Sequence, residues 1–452
     1  MHYEETGKIK FTINLQSLEN TMKKLLCGVG IVAISALSSQ SAYADSGQTD
    51  LEARIALLEE EINSLKSQVK SGNNSGGNNS DVIVSLSPTP KFKTKDGSTS
   101  AKIIGFMQAD AIFHQDDLAD HPDGTSIRRA RLGIAGKFLG DWGYKYLHDF
   151  GNNKQELQDA FITYKASKNL GFKVGQFKEF IGLEFQTGSP NWTFMELPVT
   201  DALTPRRSVG ASLLANYDNL RVNLGVFGMN ATKKIADDEG YSTDLNVSYQ
   251  FLHDKKRHFH VGATASYRVP DSAGDSISYK VKADTSTQSL NSLSTGTISG
   301  VDNNILYGLQ ALGIYGPLLV QGEYLRSDVN RENGLQDVDF SGHYIQAAYL
   351  LTGESRGFNF KKYKKSGIKP LNPLTKDGGS GAWELAARYE NLDLTDNSVT
   401  GGEIDKYTFG LNWYPNNYLR LQANYSIVDT DDNATTANDD PQILALRSQV
   451  VF

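Results

Sequence analysis

The sequence predicts an all-β fold: a transmembrane antiparallel β-barrel of about 16 strands, with a short N-terminal coiled-coil helix. Three observations predict it. From about residue 90 apolar and polar residues alternate with period two, the signature of strands with one apolar face. No segment after residue 45 approaches the roughly 18 consecutive apolar residues of a spanning helix. The chain closes on a strand-like segment with Leu444, Leu446, Val450 and Phe452 on one face. A low hydrophobic content, 39% of 452 residues, fits such a barrel because lipid-facing and lumen-facing residues alternate.

The N-terminus assigns the compartment. Met22-Lys23-Lys24 is a basic start, Leu25 to Leu37 is mostly apolar, and Ala42-Tyr43-Ala44 supplies the small residues of a cleavage site. Residues 1–44 therefore read as a secretory signal peptide, with Met22 the expected start. The one cysteine, Cys27, lies inside it, so a disulfide framework or a cysteine-ligated metal is not expected. The full chain has 45 Lys and Arg against 52 Asp and Glu; without the four Lys and three Glu of residues 1–44 its net charge is −8. Such a balance argues against nucleic acid as a partner.

Residues 45–70 predict the helix. Leu51, Leu58 and Leu65 share one heptad position, and Ile55, Ile62 and Val69 share another. The seam predicts a coiled coil and hence an oligomer. Residues 71–89, with Ser71 to Ser80 rich in Ser, Gly and Asn, read as a flexible linker, and residues 90–452 as the barrel.

Within the barrel, Leu419, Leu421, Ala423, Tyr425 and Ile427 alternate with Arg420, Gln422, Asn424 and Ser426. Leu220 to Val226 and Trp383 to Tyr389 repeat the pattern. Sixteen candidate strands begin near residues 101, 126, 142, 157, 169, 207, 220, 241, 257, 305, 317, 339, 381, 404, 418 and 441. Tight turns such as Gly140-Asp141, Asp218-Asn219 and Gly316-Pro317 separate some pairs. Longer polar segments, among them Lys282–Asn304 and Gly353–Gly381, separate others. Short turns on one side and long loops on the other describe a bacterial outer-membrane barrel, and sixteen strands leave an aqueous channel. Trp142, Tyr144, Tyr164, Trp413, Tyr414 and Tyr418 fit interfacial girdles.

Seven ordered blocks resemble the phosphate-selective porin O/P family over roughly residues 90–452. They are Arg128 to Gly133, Gly140 to Lys145, Asp159 to Tyr164, Val174 to Glu179, Thr193 to Glu196, the set of Pro205 to Arg207 with Gly210 and Gly225 to Gly228, and Gly381 to Tyr389. The resemblance implies a trimer and passive diffusion of small anions, phosphate or polyphosphate in particular. It also implies that the segment from about Lys178 to Arg206 folds inward to narrow the pore. Connections of that length tend to be functional.

Strand parity assigns faces. With Leu132, Ile134 and Phe138 toward lipid, Arg129, Arg131 and Lys137 face the lumen. The same logic turns Lys145, Lys165, Lys173, Arg221, Arg388, Arg420 and Arg447 inward, against Asp149, Asp159, Glu323, Glu384 and Glu390. Excess cations in a pore favour anions. Arg129 and Arg131, two apart on one face, are the foremost candidates for anion binding, followed by Arg206 and Arg207 at the end of the inward loop. That loop also holds Glu179, Glu184 and Glu196, so it is not strongly basic. The run Lys361, Lys362, Lys364 and Lys365 reads as a solvated loop or a contact to lipid phosphate, or as an outer attractor of anions. His258 and His260 show no third metal ligand, and no nucleophile motif or phosphate-binding glycine loop is present. No cofactor is expected, and a channel in outer-membrane lipid is favoured over an enzyme. The alternative is a structural or adhesive envelope barrel tethered through its N-terminal helix.

Overall fold

The structure is a computed structural model. It describes residues 82–452 except 87, 116–117, 119–120, 153–154, 233–237, 273, 284–291 and 436–438, together with Glu60. The signal peptide, the coiled-coil seam and the glycine-rich part of the linker lie outside the described residues. Val82–Ser85, assigned by sequence to the linker, is instead a strand paired with Lys91–Thr94.

Sixteen strands among the described residues close into one antiparallel barrel. They are β1 (Ser100–Gln115), β2 (Gly124–Phe138), β3 (Trp142–Asp149), β4 (Glu156–Lys165), β5 (Leu170–Lys178), β6 (Arg207–Tyr217), β7 (Leu220–Phe227) and β8 (Tyr241–His253). They continue with β9 (Arg257–Val269), β10 (Val301–Tyr315), β11 (Leu318–Arg331), β12 (Val338–Leu350), β13 (Ala382–Asp396), β14 (Val399–Tyr414), β15 (Leu419–Thr430) and β16 (Gln442–Val451). Each pairs with its sequence neighbour, and β16 pairs back onto β1 with Arg447 opposite Asp110. Closure leaves the barrel wall no free edge to satisfy inside lipid. The last residue seals the seam: Phe452 N donates to Gly105 O at 3.0 Å and Gly105 N to Phe452 O at 3.1 Å. Only glycine fits there, because a Cβ at residue 105 would lie 2.5 Å from the Phe452 ring.

Period-two alternation becomes two faces. Leu309 at 65% and Phe409 at 53% exposure point outward, while Gln310, Thr408 and Gly410 between or beside them point in. Rings cluster at the level of both membrane boundaries. Trp142 lies 4.7 Å from Tyr164, and Trp383 stacks on Trp413 at 5.4 Å. Tyr389 lies 5.0 Å from Tyr407 midway along β13 and β14, where the outward apolar face gives way to Asn391 and Asp405.

The connections depart from a strict division into short turns and long loops. Because strands alternate in direction, the segment 351–381 between β12 and β13 emerges at the same end as the turns at 139–141, 218–219 and 316–317. It is the long connection of the short-turn, periplasmic end. At the opposite end β13 and β14 are joined by Asn397 and Ser398 alone. Parity of strand direction, not loop length, decides the side.

Candidate functional site

Two segments fold into the lumen. The first, between β5 and β6, contains a single helical turn, α1 (Leu183–Gln186), and two 3-10 turns, Ser189–Asn191 and Val199–Leu203. Ile181, Leu183, Phe185, Trp192, Phe194 and Met195 along it are at most 4% exposed. A backbone taken off the sheet must find new partners, and charged wall residues supply them. Glu323 accepts from Leu183 N at 2.9 and 3.0 Å, and Glu390 from Val199 N at 2.7 Å. Arg420 donates to Trp192 O at 2.6 Å and Thr193 O at 2.7 Å, and Arg388 to Glu196 O at 3.1 Å.

The second segment is 351–381, which rises from the periplasmic end. Arg356 Nη2 lies 2.7 Å from Glu384, which also accepts from Asn412 at 3.0 Å and Tyr414 at 2.8 Å. Phe358 stacks 4.7 Å from His258 and 4.8 Å from His260, and Tyr363 Oη lies 3.1 Å from His260 Nε2. The two histidines, 2.8 Å apart, are thus engaged by aromatic packing and a hydroxyl. Lys365 reaches the inward loop, with Nζ 2.5 Å from Glu184 Oε2. The run at 361–365 was read as a solvated loop, a contact to lipid phosphate or an outer attractor of anions, and Lys361, Lys362 and Lys364 are indeed exposed. The structure corrects the outer placement and the reading of Lys365: the run sits at the opposite end, and Lys365 is 1% exposed. Burial lowers the Lys365 ammonium to about 8 against the pull of Glu184. Burial works to raise the Glu184 carboxyl, but Lys365 outweighs it and the group is lowered. Both stay charged at neutral pH and latch one segment to the other.

The ten sequence candidates divide between bracing and lining. Arg221, Arg388 and Arg420 point inward but are 2–4% exposed beneath the two segments. Arg221 donates to Asn246 at 2.8 Å and stacks 4.2 Å from the Tyr363 ring. These three hold the insertions in place. Arg129 is also buried; it grips Glu196 and lies 4.8 Å over Trp192. Arg131 pairs with Asp149 at 2.7 Å, Lys145 with Asp159 at 2.6 Å, and Arg207 with Asp159 at 2.9 Å. Arg206, 62% exposed at its side chain, meets Asp201 at 2.5 Å. Lys173 lies 4.6 Å over the Phe177 ring, and Lys137 is exposed near the periplasmic end.

Arg131, Arg206 and Arg207 line a cavity of about 700 Å³ beside the inward loop, together with Arg128, Lys178, Lys280, Lys282 and Lys406. Counting every lining residue, nine basic side chains face four acidic ones. Arg128 escaped strand parity because of a β-bulge: Gln108 pairs with Arg129 and Ala109 with Ile127, so one residue is unpaired. Both neighbouring arginines thereby reach Glu196, Arg128 at 2.9 Å and Arg129 at 3.0 Å. The interruption of period two in Ile127-Arg128-Arg129-Ala130-Arg131 was the available signal. Lys280 and Lys282 gave none, because long-range folding brings them to the cavity, whereas Lys406 shares the inward face of β14 with Thr408 and alternation could have found it.

Burial works to raise the Glu196 carboxyl, but Arg128, Arg129 and Arg447 prevail and hold it well below the usual range. Burial pushes the Asp201 carboxyl up to about 6, against the opposing pull of Arg206.

A narrowed, water-accessible barrel with cationic side chains at its constriction is suited to passage of solutes rather than to bond chemistry. Comparison with known proteins agrees. The family described as phosphate-selective porin O and P matches residues 102–452. Porin O of Pseudomonas aeruginosa is 26% identical over 416 residues, covering 82% of this chain and 93% of that protein. Among solved structures, an anion-selective porin from Comamonas acidovorans covers 78% of this chain and 100% of its own with a TM-score of 0.50 and 11% identity. The trimer form of OmpT from Vibrio cholerae covers the same shares with a TM-score of 0.51 and 11% identity. These two likenesses speak to the fold, while the family match extends over the whole barrel. The chain belongs to the phosphate-selective porin O and P family and is a channel of the bacterial outer membrane.

Proposed function

We propose that this channel carries small anions, phosphate or polyphosphate among them, by passive diffusion, and that it works as a homotrimer in outer-membrane lipid. The observation that carries the reading is the basic cavity beside the inward loop, in a chain whose net charge is negative. Below it the same side of the barrel bears Lys145, Lys173 and Lys137, so cationic side chains continue toward the periplasmic end. A focused positive potential concentrates anions and repels cations. The homotrimer is supported by the low wall of β3 to β7, where strands run 8–11 residues and present Trp142, Tyr146, Ile162 and Val174 outward. Arg129, Arg131, Arg206 and Arg207 are the residues assigned to the constriction; Arg221, Arg388 and Arg420 act by bracing it.

The test is the reversal potential of the purified protein in a planar bilayer under a KCl gradient. Its sign is expected to report chloride permeation, and cation preference would refute the reading. The same measurement has an expected pH dependence. Asp201, raised to about 6 and 2.5 Å from Arg206, loses its charge as pH falls from 7 to 5. Anion preference should therefore increase on acidification, and Asp201→Asn should flatten the profile near its low-pH limit.

A further inference from the structure

Glu196 sits where an anionic solute would bind. Its two carboxylate oxygens take five N–H groups from three arginines. Arg128 donates through Nε at 3.0 Å and Nη2 at 2.9 Å. Arg129 donates through Nη1 at 3.2 Å and Nη2 at 3.0 Å. Arg447 donates through Nη2 at 2.7 Å. Forked, charge-assisted donation of this kind is the geometry that recognises carboxylate and phosphate alike. The carboxylate is not needed to hold the loop. Arg420, Asn412 and Arg388 bind the backbone carbonyls of Trp192, Thr193 and Glu196, and Arg447 also reaches Met195 O. Nor is the site sealed, because Glu196 and Arg128, with side chains 14% and 22% exposed, border the 700 Å³ cavity.

We infer that Glu196 is a tethered internal anion: it occupies a three-arginine oxyanion site at the constriction and sets how tightly the channel binds inorganic phosphate. The inference rests on the anion-channel reading. With the carboxylate in place, the arginines attract a passing anion, but their donors are already taken, so it is not retained. With the carboxylate neutralised, three guanidiniums face one remaining acid, Asp110, held by Arg447 at 2.6 Å. Phosphate then replaces the lost partner, and the pore exchanges throughput for affinity. Glu196 is in this sense a determinant of specificity, separating a passing channel from a trapping one.

The experiment titrates inorganic phosphate into KCl and records single-channel current for wild type, Glu196→Gln and Glu196→Asp. Freeing even one bidentate pair from its resident carboxylate is expected to lower the half-blocking phosphate concentration of E196Q by about tenfold or more. E196D keeps the charge but withdraws it by one methylene, and is expected to shift the same way by less. Half-block at an unchanged or higher concentration in both variants would overturn the inference. Failure of both to assemble would also overturn it, since the carboxylate would then be a strut. A wild type that prefers cations would sink the parent reading, whereas an anion-preferring wild type with no gain in E196Q removes this inference alone.

Discussion

Replacing Arg131 and Arg207 together by glutamine is expected to weaken the anion preference of the channel sharply. Each guanidinium is the counter-ion of a wall carboxylate, Arg131 at 2.7 Å from Asp149 and Arg207 at 2.9 Å from Asp159. The double substitution removes two positive charges and uncovers negative charge at the same level. Asp159 retains Lys145 at 2.6 Å, while Asp149 retains the backbone N–H groups of Ala130 at 3.0 Å and Gly151 at 3.1 Å. A unit charge at 4 Å is worth about 1 kcal/mol in water and about 4 kcal/mol near a protein surface. Losing two should move the anion-to-cation permeability ratio by at least about tenfold. The reversal potential reads this directly, and an unchanged value would place the selectivity elsewhere in the lumen.

The second large effect is expected from Arg356→Ala. Arg356 and Glu384 are 3% and 1% exposed and 2.7 Å apart, so the substitution strands a buried carboxylate. Breaking one partner of such a pair costs about 3–5 kcal/mol. The barrel wall does not depend on this contact; the insertion 351–381 does. A cost of that size raises the population of the released segment by about two to four orders of magnitude. Current records should show openings to a higher conductance level, and the segment should become cleavable by protease added from the periplasmic side. Lys365→Met, which strands Glu184, should add to the effect because it opens the second latch. Wild-type conductance and protease resistance in R356A would show that aromatic packing around Tyr363 suffices to hold the segment.

These expectations depend on a distinction the sequence could not make among its inward-facing cations. Parity correctly turns Arg131 and Arg420 to the same side of the wall. Arg131 borders the cavity, while Arg420 is 2% exposed and spends its donors on the carbonyls of Trp192 and Thr193. A period-two pattern reports which face a side chain leaves from, not what later folds across it. Arg128 was missed for a different reason: a bulge shifts the register by one residue, so a position that alternation assigns to lipid enters the lumen.

The acids behave likewise. Glu323 and Glu390 appeared as inward charges opposing the cations. In the structure each accepts a backbone N–H of the inward loop and neither lines the cavity, although Glu390 lies 3.7 Å from Lys406 and offsets that one cation. The lysines at 361–365 looked like a surface tract because their composition is polar. Charge composition says nothing of the sheet end from which a loop leaves, and counting strand directions would have placed it at the periplasmic side.

By itself the sequence determined the number and order of the strands and, away from the bulge at Arg128, the two faces of each. Those features follow from local alternation, and sixteen such strands escape an unpaired edge in lipid by closing. Only the tertiary structure decided which inward cations meet water. That depends on two insertions whose anchors lie far away in the chain, such as Glu184 with Lys365 and Arg420 with the Thr193 carbonyl. A buried charge persists only where a specific partner desolvates with it, and such pairing across a lumen leaves no periodic trace in the chain.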